Sequence, residues 1–153
     1  MSADALAVEI RALPSPVADP ETAQALVGRA EALAAQAPLP ADIERRLADV
    51  LRFIPKGPPP SWIWPRTWIR AARLLSEREL EPLSRSDAPV YLSALGALKL
   101  ARAGVRNAGV DDWLLSTRDY EQLTADERAE LEPFVLALSP AAAVELRIAD
   151  HSD

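Results

Sequence analysis

Fourteen prolines are spread through a chain in which alanine and leucine fill a third of the 153 positions, and that pairing limits the fold more than any other feature. Ala and Leu are strong helix formers, whereas proline either sits in the first turn of a helix or stops it. Such a chain makes many short helices. Strand-favouring β-branched and aromatic residues are scarce, and no segment alternates with period two for long enough to build a sheet. No repeat with a period of about 20–50 residues is present, which disfavours a regular solenoid. The expected fold is all-α: a single compact mixed or orthogonal helical bundle of about eight short helices over residues 1–150. A proline-rich connector at 55–61 and a frayed tail at 150–153 complete it.

Local signals place the elements. Residues 3–13 form a first short helix, stopped by Pro14. Asp19-Pro20-Glu21 reads as a helix start, with Asp as N-cap and Pro at the first position, and its apolar face runs from Ala23 to Ala37. Pro40 opens a helix with the buried stripe Ile43, Leu47, Val50, Leu51 and Ile54, opposite Glu44, Arg45, Asp49 and Arg52. Ser76 with Glu79, and Thr124 with Glu127, have capping-box spacing. Residues 88–103 are apolar nearly all round, which predicts a central helix capped by Asp87 and stopped by a left-handed Gly104. A turn at Gly109 should precede a short helix around Trp113, with Asp111-Asp112 at its start. Pro133 should kink the helix that begins at Thr124, and Ser139-Pro140 should open the last one, ending near Ala149.

Several chemistries lack the residues they need. There is no cysteine, and the one histidine is His151. Thiol nucleophiles, disulfides, thiolate metal sites and most histidine chemistry are thereby excluded. Phosphate-binding glycine motifs, the nucleophile elbow and the zinc-protease motif are absent from the sequence. No cofactor or metal is implied. The acidic run Asp119, Glu121, Asp126, Glu127, Glu130 and Glu132 could hold a hard cation, but no calcium-loop pattern accompanies it. The simpler reading is helix-start chemistry on a solvated surface. The longest uncharged stretch, Pro133–Val144, is too short for a membrane span, and a cytoplasmic protein is expected.

Charge is segregated. Residues 1–49 carry four basic and eight acidic groups, residues 50–110 ten and four, and residues 111–153 three and eleven. A basic middle between acidic ends can be neutralised within the molecule or by an anionic partner. No acid lies between Asp49 and Glu77, a stretch containing Lys56, Arg66, Arg70 and Arg73. The same stretch holds Trp62, Trp64 and Trp68. Pro65 is expected at the first helical position, which puts Ile63 and Trp68 in hydrophobic-staple register. One side of that helix then carries Trp68, Ile69, Ala72 and Leu75, another the three arginines. Each buried Trp stabilises by about 4–6 kcal/mol as an upper estimate, so these rings belong in the core or against a partner.

The leading functional expectation is a non-catalytic helical adaptor or assembly subunit. It would dock a protein partner through Lys56, Trp62, Trp64, Arg66, Trp68, Arg70 and Arg73, with the acidic 111–132 region as a further contact surface. On that reading, changing Arg66, Arg70 and Arg73 to Glu removes partner binding and leaves the melting temperature nearly unchanged. The alternatives are a small nucleic-acid-binding subunit of a ribonucleoprotein or phage-type complex using the same basic segment, and an enzyme with an unrecognised carboxylate site.

Overall fold

The positions where the backbone must leave the helix are marked by prolines and by side chains that bond to nearby N–H groups. A computed structural model describes residues 1–53, 63–87, 90–116 and 119–151. Among these residues there are nine α-helices and no strand. Helix α1, Ala3–Ala12, is capped by Ser2, and α2, Pro20–Ala34, by Asp19, whose carboxylate accepts from the Thr22 N–H at 2.8 Å. That bond holds the Asp19 carboxyl below its ordinary range. Then come α3 (Ala41–Arg52), α4 (Ile63–Leu74), α5 (Glu77–Ser84), α6 (Ala94–Arg102) and α7 (Ala108–Leu114). A 3-10 turn at Tyr120–Gln122 leads to α8 (Ala125–Leu138) and α9 (Pro140–His151).

The central helix is real but shorter than its apolar run. It is α6, and seven of its nine residues are buried. Its cap is Ser93, which accepts from the Gly96 N–H, and the Asp119 carboxylate accepts from the Ala94 N–H at 3.0 Å. Asp87 caps nothing there, because residues 90–93 are not helical and Tyr91 donates its N–H to the Leu51 carbonyl at 2.7 Å. Apolarity in 90–92 reflects burial, not helix. The C-terminal stop is as expected: Gly104 has φ +82°, Val105 N–H bonds to Leu100 O and Gly104 N–H to Ala101 O. That is a Schellman closure.

Other boundaries moved for identifiable reasons. Helix α2 ends at Ala34 and does not continue to Pro38. Ser76 precedes α5, but its hydroxyl turns to Glu44 and makes no cap bond. Asn107 caps α7, so Gly109 lies inside a helix and Asp111-Asp112 do not begin it. Helix α8 runs through Pro133, and α9 continues past Ala149 to His151. The Thr124–Glu127 capping box forms with both of its bonds. The connector at 55–61 and residues 152–153 lie outside the described residues.

Helix α6 packs on α4, α5 and α7, while α4 also contacts α2 and α3. One lysine ties two of these together. Lys99 of α6 donates to the carbonyls of Ala72, Arg73 and Leu75 at 2.7–3.0 Å, using all three ammonium donors on the C-terminal end of α4. Burial lowers its pKa, against the opposing pull of Glu77. No helix among the described residues is long and apolar enough to cross a membrane.

Candidate functional site

Helix α4 was expected to present indoles and guanidiniums to a partner, and the structure distributes them otherwise. The helix begins at Ile63, so Pro65 is its third residue and the staple register between Ile63 and Trp68 does not arise. The apolar side is as expected and wider: Trp68, Ile69, Ala71, Ala72 and Leu75 are all buried. Trp68 is only 5% exposed and stacks on Tyr91, with ring centroids 4.4 Å apart and planes within 10°. Tyr91 in turn meets the edge of Trp113 at 5.4 Å. This aromatic row joins α4, the non-helical 90–93 segment and α7. Trp68 therefore stabilises the fold and is withdrawn from any docking surface.

The arginines have partners on both acidic flanks. Arg70 forms a two-bond fork with Glu31 of α2. Arg73 forks on Glu127 of α8 at 2.6 and 2.8 Å and also donates to the Gln122 carbonyl. Burial pushes the Glu127 carboxyl up, but the bonds from Arg73 and Thr124 outweigh it and leave its pKa lowered. Arg66, at the start of the helix, is exposed. Trp64 lies in the first turn of α4 by its backbone. Lys56 and Trp62 lie outside the described residues. Of the seven residues proposed as one surface, the structure thus takes Trp68 into the core and commits Arg70 and Arg73 to ion pairs.

The same internal pairing runs through the basic middle of the chain. Arg78 reaches Glu44, Arg85 reaches Glu81, Arg102 reaches Glu130 and Arg106 reaches Asp111. Guanidiniums stand next to carboxylates from both flanking thirds. Three of the six carboxylates in the 119–132 run are divided the same way: Asp119 to the Ala94 N–H, Glu127 to Arg73 and Glu130 to Arg102. No group of three or more metal-ligating side chains forms among the described residues.

An apolar surface that the sequence reading did not single out lies at the corner of α8 and α9. Outward positions of α8 after Glu130 are Pro133, Leu136 and Ala137, and those opening α9 are Pro140, Ala141 and Val144. Leu136 is 47% and Val144 52% exposed, while Leu131, Val135, Ala143 and Leu146 fill the inner side. The signal was present in the pattern: α8 carries apolar residues on more faces than burial needs. On the same two helices stand the exposed acids Glu130 and Glu145. No protein family, curated protein or solved structure matches this chain.

Proposed function

We propose that the protein is a non-catalytic helical adaptor that docks a different protein chain through the outer corner of α8 and α9. The observation that carries this reading is the exposure of Leu136 and Val144 on a corner whose outward positions bear no charge from Leu131 to Val144 except Glu132. Covering these half-exposed side chains stabilises by roughly 1 kcal/mol each, about half of a full burial, which favours a partner that covers them. Charge chooses the partner's chemistry. The exposed Glu145 follows Val144 directly on α9, so the complementary surface is apolar with a lysine- or arginine-rich rim. The absence of cysteine and the single histidine support a role that works through shape.

The cysteine-free sequence makes the test clean. Leu136→Cys and Val144→Cys, each carrying a benzophenone photo-crosslinker, should give the same adduct in an extract of the source cells. The exposed Gln24→Cys on α2 should give none. Excess wild-type protein should suppress that adduct, and excess Leu136→Glu should not. An adduct of twice the chain mass would mean self-association instead, and an adduct only from Arg66→Cys would return docking to α4.

A further inference from the structure

Helix α3 turns its polar side to a cleft of about 300 Å³ that it shares with the chain after α1 and with α5. Arg45, Arg46, Asp49 and Arg52 line it from α3, Ser15 from the segment after α1, and Glu79 from α5. Spacings of four and three residues bring Arg45, Asp49 and Arg52 onto one side of the helix, opposite its buried stripe. Three guanidiniums therefore face two carboxylates, an excess of one positive charge in a protein whose net charge is −6.

Arg46 carries that excess. It is half-buried, and its one hydrogen bond among the described residues runs from Nη1 to the Leu13 carbonyl at 3.1 Å. No carboxylate among those residues pairs with it, in contrast to the arginines of α4 and α6. Its Nε and Nη2 donors are left over. That is the edge by which Arg11 forks on Asp42 and Arg102 on Glu130. A half-buried guanidinium with a bare fork favours an oxyanion across it. Its neighbour Arg45 is also uncommitted: the side chain is 73% exposed, and the Glu79 carboxylate stands 3.9 Å away, beyond hydrogen-bond distance. Asp49 is held by Arg52 at 3.1 Å, and Glu79 is shared at long range with Arg78.

We propose that this cleft binds the phosphoryl group of a phosphate monoester, forked on Arg46 and bonded by Arg45, with the Ser15 hydroxyl as a further donor. A phosphoryl group suits the donors better than a carboxylate does. A carboxylate has two oxygens, which one guanidinium fork uses up. The three terminal oxygens of a monoester can take the Arg46 fork and an Arg45 donor together. Asp49 opposes the ligand and limits its affinity. The group can belong to a small metabolite or to a phosphorylated side chain of another protein; the chemistry recognised is the same.

The test is an amide-resolved NMR titration of the full chain with glycerol 1-phosphate, at constant ionic strength and slightly above neutral pH, where the monoester is a dianion. Saturable shifts are expected at Ser15, Arg46 and Ala48. Arg46→Gln should weaken binding about tenfold, the loss expected for one charge-assisted fork. Because Arg46→Gln also removes the bond to Leu13, Arg45→Gln serves as a second variant that breaks no hydrogen bond of the fold. It should weaken binding at least about threefold. Asp49→Asn should tighten it, a gain that a merely structural Arg46 would not produce. Arg85→Gln, an exposed arginine of α5 outside the cleft, should change nothing. A parallel titration with an acetylated, amidated phosphoserine identifies the source: binding of either compound supports the site, and the tighter one names it. No saturation with either by about 50 mM, undiminished binding to Arg45→Gln, or an equal loss in Arg85→Gln would overturn it.

Discussion

Single residues in this protein are decided by what lies within a few ångströms of them, and its glycines show this most plainly. Gly28 and Gly109 are both helical, yet a Cβ on Gly28 would meet nothing within 4 Å, whereas one on Gly109 would come within 2.5 Å of the Ser84 carbonyl oxygen. Gly28→Ala should therefore raise stability by about 0.5–1 kcal/mol by relieving the unfolded-state entropy. Gly109→Ala should lower it by about 1–3 kcal/mol, because a backbone must give way. Urea denaturation of the two variants measures both, and equal effects would mean that α7 does not lie against residue 84. Lys99 is the second such residue. Lys99→Met removes three donors from the end of α4 and should cost about 1–3 kcal/mol in the same assay.

Elements are joined to one another by charge as well as by apolar packing. Helix α4 is held to α2 by Arg70–Glu31 and to α8 by Arg73–Glu127, pairs separated by 39 and 54 residues in sequence. Each is partly exposed and worth less than about 1 kcal/mol, but reversal adds repulsion at close range. The Arg66, Arg70 and Arg73 to Glu variant should thus lose about 1–2 kcal/mol, contrary to the unchanged stability expected of an outward-facing stripe. Restoring the pair with Glu127→Arg on an Arg73→Glu background should recover part of the loss. Failure to recover any would mean that Arg73 acts through its stem alone. The capping box at Thr124–Glu127 was legible because its two residues are three apart. Nothing local announced that the same Glu127 would also receive Arg73.

At the scale of the whole molecule, carboxylates held below their ordinary range make the fold acid-sensitive. Asp19 is lowered by the Thr22 N–H, and Asp42 and Glu130 are lowered by the guanidiniums of Arg11 and Arg102. Glu127 ends lowered once its bonds outweigh burial. In the unfolded chain these groups titrate near about pH 4, so the folded state binds fewer protons than the unfolded state just below that point. The stability they contribute is complete above the unfolded values and is lost as pH falls through the lowered folded values. Urea midpoints measured from pH 7 down to pH 3 should fall accordingly, and Glu127→Gln should flatten part of that slope. A midpoint independent of pH would show that the pairs contribute nothing to folding. Segregated charge in the sequence thus resolves largely into internal neutralisation among the described residues, and the α8–α9 corner keeps apolar side chains exposed.

Read alone, the sequence determined the helical class, the cap at Asp19, the capping box at Thr124, the left-handed stop at Gly104 and the buried side of α4. Each of these depends on residues within about four positions of one another, the reach of helical hydrogen bonds and of proline. Only the tertiary structure decided that 90–93 is not helical, that Gly109 faces a backbone, that Glu44 is buried and that Arg70 and Arg73 have acidic partners. Those outcomes are set by segments tens of residues away, and a charge or an apolar residue carries no local mark of which distant surface will cover it.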